Sequence, residues 1–272
     1  MNNAFRPRGF HIPTVIKNLL IINGLVWLIQ VTLIYRFNYN LSDLFALHYW
    51  KSDLFRPWQF VTHLFMHDTT GVGHIGMNML TLWFFGSTLE DYWGSKRFLL
   101  FYLICGMGAA FCYMGWLTYD NIKLTHEAEA FLNNPTLNNF VILDNRYDLG
   151  LLLQNYYNMS GMREAIGNHD PAAISIAKDL VYNLVAAYRD MPMVGASGAI
   201  YGILFAFGYM FPNDYIYLFF PVKVKYVVGI MIAMELVHQL QSTSGDNVAH
   251  VAHLGGALFA FLLLRNWNRK LL

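Results

Sequence analysis

The chain is predicted to be an all-α polytopic membrane protein: a bundle of six transmembrane helices with a largely helical extramembrane insertion. Three observations predict this class. First, 56% of its 272 residues are hydrophobic and 13% are charged, against roughly 25% charged in an ordinary soluble domain. Second, Phe98–Tyr119 and Met191–Phe211 hold no Asp, Glu, Lys or Arg, and about 20 mostly apolar residues suffice to cross the hydrocarbon core. Third, Lys and Arg in the short connections all fall on one side of a six-span arrangement. Only helices or closed barrels satisfy backbone groups in lipid, and these runs are too long for barrel strands.

The spans follow in order. The first covers Pro13–Tyr35. No short apolar region with a small-residue cleavage site precedes it, so it is expected to act as its own targeting signal rather than be removed. A loop of about 38 residues, Arg36–Gly73, leads to span two, His74–Tyr92. Lys96 and Arg97 turn the chain into span three, Phe98–Tyr119. Cys105 and Cys112 in that span lie seven apart, two turns along one face and too far to bridge, so they read as buried free thiols. Residues 120–191 are the insertion, in which acidic residues outnumber basic ones. Apolar residues recur there at helical spacing over Ile174–Tyr188. Span four is Pro192–Phe211, span five Val222–Leu240 and span six Val248–Trp267, with the link Gln241–Asn247 between the last two. Residues 1–119 and 192–272 thus form the two parts of the membrane core. Arg6, Arg8 and Lys17, then Lys96 and Arg97, then Lys223 and Lys225, and last Arg265, Arg269 and Lys270 share one side. That side is expected to be cytoplasmic, with both termini in it. A net charge of +1 indicates no nucleic-acid partner, and no internal repeat or low-complexity tract is present.

This topology puts polar groups from three spans at one level. Ser197 lies near the outer end of span four. His253 lies about one and a half turns, roughly 8 Å, below the outer start of span six. His74 and Asn78 open span two. A serine hydroxyl is a weak nucleophile until a base takes its proton, and His253 is a base suited to neutral pH. Attack on a carbonyl builds charge on oxygen, and each donor already aimed at that oxygen is worth about 3 kcal/mol. His74 and Asn78, at i and i+4, offer two such donors from one helix face. The Ser197 backbone N–H, at a helix N-terminus, offers a third. Gly198-xxx-Gly202 followed by Ala206, and Gly256-xxx-Ala260, are small-residue stripes that let two helices approach closely in lipid. Stripe on stripe would bring Ser197 beside His253, with Tyr201 one turn below Ser197 and placed to hold the imidazole by ring contact. Each motif taken alone has a plainer reading: small residues in membrane helices usually just pack, and a lone Asn serves as interhelical glue.

Taken together, these residues resemble the rhomboid intramembrane serine proteases. Gly195-Ala196-Ser197-Gly198 with Tyr201-Gly202 resembles the nucleophile motif, and Ala252-His253-Leu254-Gly255-Gly256 with Ala260 the histidine motif. His74-xxx-Asn78 resembles the oxyanion pair, and Gly86-xxx-Glu90-xxx-Gly94 the turn motif after span two. The resemblance covers Trp58 to Trp267 apart from the insertion. It implies a Ser197–His253 dyad with no third acid, and no cofactor or metal. It also implies cleavage of single-pass transmembrane substrates near the outer membrane face. Substrates would enter laterally past about Val227–Leu240 and the cap Gln241–Asn247. Trp58-Gln59 departs from the family's usual Trp-Arg, which puts the local interactions of that loop in question. A bacterial plasma membrane is the expected location, and the oligomeric state is left open.

Several polar residues fall outside this assignment. His250, three before His253, competes for the role of base; the deeper position and the motif favour His253. His63 and His67 have zinc-compatible i, i+4 spacing, but no Glu follows His63 and no third ligand is evident, so a polar-network role is expected. Glu235 and His238 in span five are expected at a hydrated helix end, with a water-filled entry as the alternative. Two other functions compete. One is a catalytically inactive rhomboid-like protein that binds or escorts membrane proteins, against which both Ser and His are present. The other is a channel or transporter, against which no inverted repeat is found.

Overall fold

A computed structural model describes residues 11–152, 159–217, 221–241 and 247–269. The chain is mostly helical. Helices α1 (Thr14–Phe37), α2 (Ser42–Phe45), α3 (Gln59–Thr62), a 3-10 turn (His63–Phe65), α4 (Gly73–Trp93) and α5 (Ser95–Asn133) come first. The insertion adds α6 (Leu137–Tyr147), α7 (Leu149–Leu152), α8 (Met159–Gly167) and α9 (Pro171–Arg189). Helix α10 (Ser197–Met210), an antiparallel strand pair β1 (Tyr215–Tyr217) and β2 (Pro221–Lys223), α11 (Val224–Gln241) and α12 (Asn247–Arg269) complete it. Arg6, Arg8, Lys270 and most of the link after span five lie outside the described residues.

Among the described residues, two helices are long and apolar enough to cross a bilayer on those grounds alone, α1 and α5, and α10 is apolar but short. Helix α10 packs against both α5 and α12, which also contact each other. Its inner face of Ala199, Ile203 and Ala206 is buried with Cys105, Ala260 and Leu264 in one apolar core. Both cysteines are free thiols.

The turn motif after α4 has a physical basis at each position. A Cβ on Gly86 would sit 2.6 Å from Ile16 Cδ1, so this glycine lets α1 lie against α4. The Glu90 carboxylate accepts from the Val15 and Ile16 amides at 2.9 Å each and from Ser95 Oγ at 2.6 Å. It thereby caps the first turn of α1, where backbone donors have no helical partner. Gly94 has φ +79°, a left-handed turn that favours glycine.

Helix α5 runs 39 residues, about 58 Å at 1.5 Å per residue. The sequence boundary at Asp120 falls inside this unbroken helix. The extension carries the insertion: Phe131 packs on Phe140, and Ile166, Ala177, Val181 and Leu184 close the same core. Helix α9 covers the expected Ile174–Tyr188 segment and starts with Asp170 accepting from the Ala172 and Ala173 amides and Pro171 at its first position, a favoured helix start. The Tyr188 hydroxyl donates to Asp120, and Arg163 Nε donates to Asp144 at 2.9 Å.

Span four differs from its expected helical extent. Residues 192–196 are not helical, and α10 has 14 residues, about 21 Å long against a core of about 30 Å. The reason is local. Gly195 has φ +115°, and Met193 is bridged to Leu47 of the first loop by two backbone hydrogen bonds of 2.8 and 3.0 Å. Gly195 N donates to His63 O at 3.0 Å. Buried non-helical backbone persists where protein satisfies its polar groups, and the first loop does so here.

Candidate active site

Helices α10 and α12 cross at close range. A Cβ on Gly256 would lie 1.8 Å from the Gly198 carbonyl oxygen, and one on Gly202 would lie 3.1 Å from that of Gly256. One on Gly198 would meet Ala109 Cβ at 2.5 Å and the Ala252 carbonyl oxygen at 3.5 Å. The two stripes therefore pack backbone on backbone, and α5 lies against both at the same crossing, through Cys105, Ala109 and Cys112. Ser197, the first residue of α10, and His253, next to Ala252, are carried to the same crossing. Tyr201 lies flat on the His253 imidazole, with ring centroids 4.1 Å apart and planes within 9°. No hydrogen bond joins Ser197 to His253 in this geometry.

The span-two pair meets the same crossing from the α4 side. A Cβ on Gly195 would lie 3.2 Å from His74 Nε2 and 3.8 Å from Asn78 Nδ2. The positive φ and the missing side chain at Gly195 thus make room for both groups two residues before Ser197. The Asn78 amide nitrogen is buried with no hydrogen-bond partner, and the residue is 7% exposed. His74 Nδ1 faces the Asp68 amide at 3.5 Å, so its proton falls on Nε2, the atom turned toward Gly195. The Ser197 amide, at the start of α10, is free of helical partners.

Glu235 corrects the expectation of a hydrated helix end. It is 7% exposed and sits among rings. Its carboxylate accepts from the Tyr201 hydroxyl, lies 2.5 Å from His250 Nδ1 and lies 3.1 Å from His253 Nδ1. That last contact is within ion-pair reach but off the line of a hydrogen bond. His238 stacks on His250 with centroids 5.3 Å apart. A signal was available in the sequence, since an ionisable residue inside a span is functional by default. What the sequence did not supply was the partner, because Glu235 and His253 are on different helices. Glu235, His250 and His253 also present ligand atoms within 4.8 Å of one another. Two imidazoles and one carboxylate are a donor set suited to zinc.

The first loop braces the crossing. Gln59 is fully buried. Its Oε1 accepts from the His48 and Arg56 amides, and its Nε2 donates to the Leu44 and Leu54 carbonyls. The neutral amide thus supplies both donors and acceptors to the loop, which accounts for the local interactions that Trp58-Gln59 put in question. Gln30 of α1 pairs both ways with the His67 backbone, at 3.0 and 3.1 Å. His63 Nδ1 lies 2.8 Å from Gln59 O. Burial pushes the His63 ring down to about 4, and burial with the nearby His74 does the same to His67. A cleft of about 420 Å³ between α1 and this loop, lined by Tyr39, His67 and Val194 among others, lies beside the serine rather than at it.

Comparison with known proteins gives two findings. The chain matches the Rhomboid domain family over residues 55–124 and 172–266, more than half its length. The gap between the matched segments is the middle of the insertion. It is similar to rhomboid protease GluP of Bacillus subtilis (strain 168), 29% identical over 134 residues, 43% of this chain. The chain spans 25% of that relative's length.

Proposed function

We propose that this chain, which belongs to the rhomboid family and is therefore a membrane protein, is an intramembrane serine endopeptidase working through Ser197 and His253. Its substrates on this reading are single-pass transmembrane proteins, cut near the outer membrane face. The core is six spans, the helices α1, α4, α5, α10, α11 and α12, with both termini cytoplasmic, in a bacterial plasma membrane. The insertion is extramembrane.

The observation that carries the reading is the unpartnered Asn78 amide beside Gly195, two residues from Ser197. A buried donor without an acceptor costs about 1–3 kcal/mol, and such groups persist where a ligand or transition state supplies the missing partner. In the proposed reaction His253 takes the Ser197 proton as Oγ bonds to the scissile carbonyl carbon. The carbonyl electron pair moves to oxygen, where Asn78 Nδ2, His74 Nε2 and the Ser197 amide stabilise it. Collapse breaks the C–N bond and His253 hands its proton to the leaving amine. Water then releases the acyl-enzyme by the same steps. The stacked Tyr201 restricts the imidazole, and the contact to Ser197 closes when substrate binds, as catalytic hydrogen bonds commonly do.

Reconstituted with a labelled single-pass substrate, wild type should cleave, and Ser197→Ala and His253→Ala should each lose on the order of 10⁴-fold or more in kcat. Equal cleavage by all three would remove the dyad. The competing reading is an inactive rhomboid-like escort. A fluorophosphonate that labels wild type but not Ser197→Ala decides between the two.

A further inference from the structure

The proposed dyad assigns no task to Glu235, a buried acidic residue. Glu235 is the acidic residue that α11 turns into the rings of α10 and α12. A carboxylate removed from water is costly unless paired and hydrogen-bonded. Here its partners are the candidate base and the two groups that touch that base. Tyr201 lies flat on the His253 ring and donates its hydroxyl to the same carboxylate. His250 lies 2.5 Å from Oε2, which leaves Oε1 on the His253 side, 3.1 Å from Nδ1. His250 and His253 are three apart and so share a helix face.

We infer that Glu235 is a positioning residue that holds His253 by its Nδ1, so that the centre works as a Ser–His–Glu set rather than a dyad. The inference rests on the assignment of Ser197 and His253. A carboxylate 3.1 Å from Nδ1 favours a proton on that nitrogen by charge, which leaves the Nε2 lone pair as the base. When Nε2 takes the Ser197 proton, the ring becomes a cation. Glu235 remains ionised throughout and faces that cation at ion-pair distance; the proton on Nε2 goes to the leaving amine and none passes to Glu235. Through Tyr201 the same carboxylate fixes the ring plane. Removing the negative charge while keeping the shape therefore affects formation of the imidazolium, not substrate binding.

The test separates this role from gating, because Glu235 lies on the helix expected to admit substrates. Two rates are measured for wild type, Ser197→Ala, Glu235→Gln and Glu235→Ala. One is cleavage of a single-pass substrate; the other is acylation of Ser197 by a small fluorophosphonate that needs no lateral entry. The acylation rate constant is counted per labelled site, so it does not depend on the fraction of variant that folds. Glu235→Gln should lower both kcat and the acylation rate constant on the order of 100-fold, with KM within about twofold. Added formate should restore part of the Glu235→Ala rate, as it should not for His253→Ala.

An unchanged acylation rate in Glu235→Gln, with the loss confined to KM for the transmembrane substrate, would make Glu235 a gate residue and overturn the inference. So would a wild-type rate that collapses on chelation and returns with zinc, which would make Glu235 a metal ligand. A wild type that labels no better than Ser197→Ala would instead sink the serine-protease reading itself.

Discussion

At the scale of single residues, Asn78 and Gln59 show two opposite uses of an amide. Gln59 has its donors and acceptors matched by four backbone groups, and its task is to hold the first loop. Asn78 keeps a buried donor open. Replacing Asn78 by Ala should therefore separate stability from activity. The unfolding temperature should stay level or rise, because an unsatisfied buried group is removed. The kcat should fall about 10²-fold with KM little changed, since the oxyanion exists only near the transition state. Calorimetry in detergent and steady-state kinetics check this, and an unchanged kcat would take Asn78 out of the oxyanion role. Asn78, His74, Ser197 and His253 were legible as residues because polar groups stand out in apolar runs. Glu235 was visible for the same reason, but its partners were not, because a contact between α11 and α12 leaves no mark in either segment alone.

At the scale of elements, the small-residue stripes of α10 and α12 were legible as periodicity, and their mutual packing follows from it. The consequence is a crossing with no spare room. A methyl on Gly256 would have to displace the Gly198 backbone carbonyl from 1.8 Å, and backbone cannot rotate aside as a side chain can. Gly256→Ala should cost at least the roughly 1–3 kcal/mol typical of overpacking and separate Ser197 from His253. Gly86→Ala meets the flexible end of Ile16 instead and should be milder. Comparing unfolding temperatures of the two variants tests the ranking, and a more stable Gly256→Ala would contradict it. The ends of elements were less legible. An apolar run from Met191 reads as one helix, yet the chain pairs Met193 with Leu47 and turns at Gly195 before helix begins. Apolarity reports burial, and burial in protein suits extended backbone as well as helix.

At the scale of the whole molecule, the first loop is the brace that joins α1, the Gly195 turn and α4, and it carries a pH limit. His63 and His67 are buried and stay neutral in the folded state down to about 4. In the unfolded chain such rings take up protons below about 6.5. The unfolded state thus binds more protons between those values, so stability rises with pH across that window and is lost as pH falls through it. Each ring accounts for about 3 kcal/mol at most. Unfolding temperature should drop between pH 6.5 and 4, and His63→Gln should flatten the profile; a wild-type profile already level there would refute the argument. The sequence by itself determined the helical class and the order of the apolar helices, and it put forward the residues proposed to carry chemistry. Composition and periodicity are properties of a segment and its solvent, so they survive in one dimension. Only the tertiary structure decided that α5 continues unbroken into the insertion, that span four starts as extended chain, and that Glu235 reaches the ring of His253. Each of these depends on a partner distant along the chain, through a backbone pairing, a shared apolar core or a buried charge finding its counterpart. Pairing of that kind is fixed only when the helices pack.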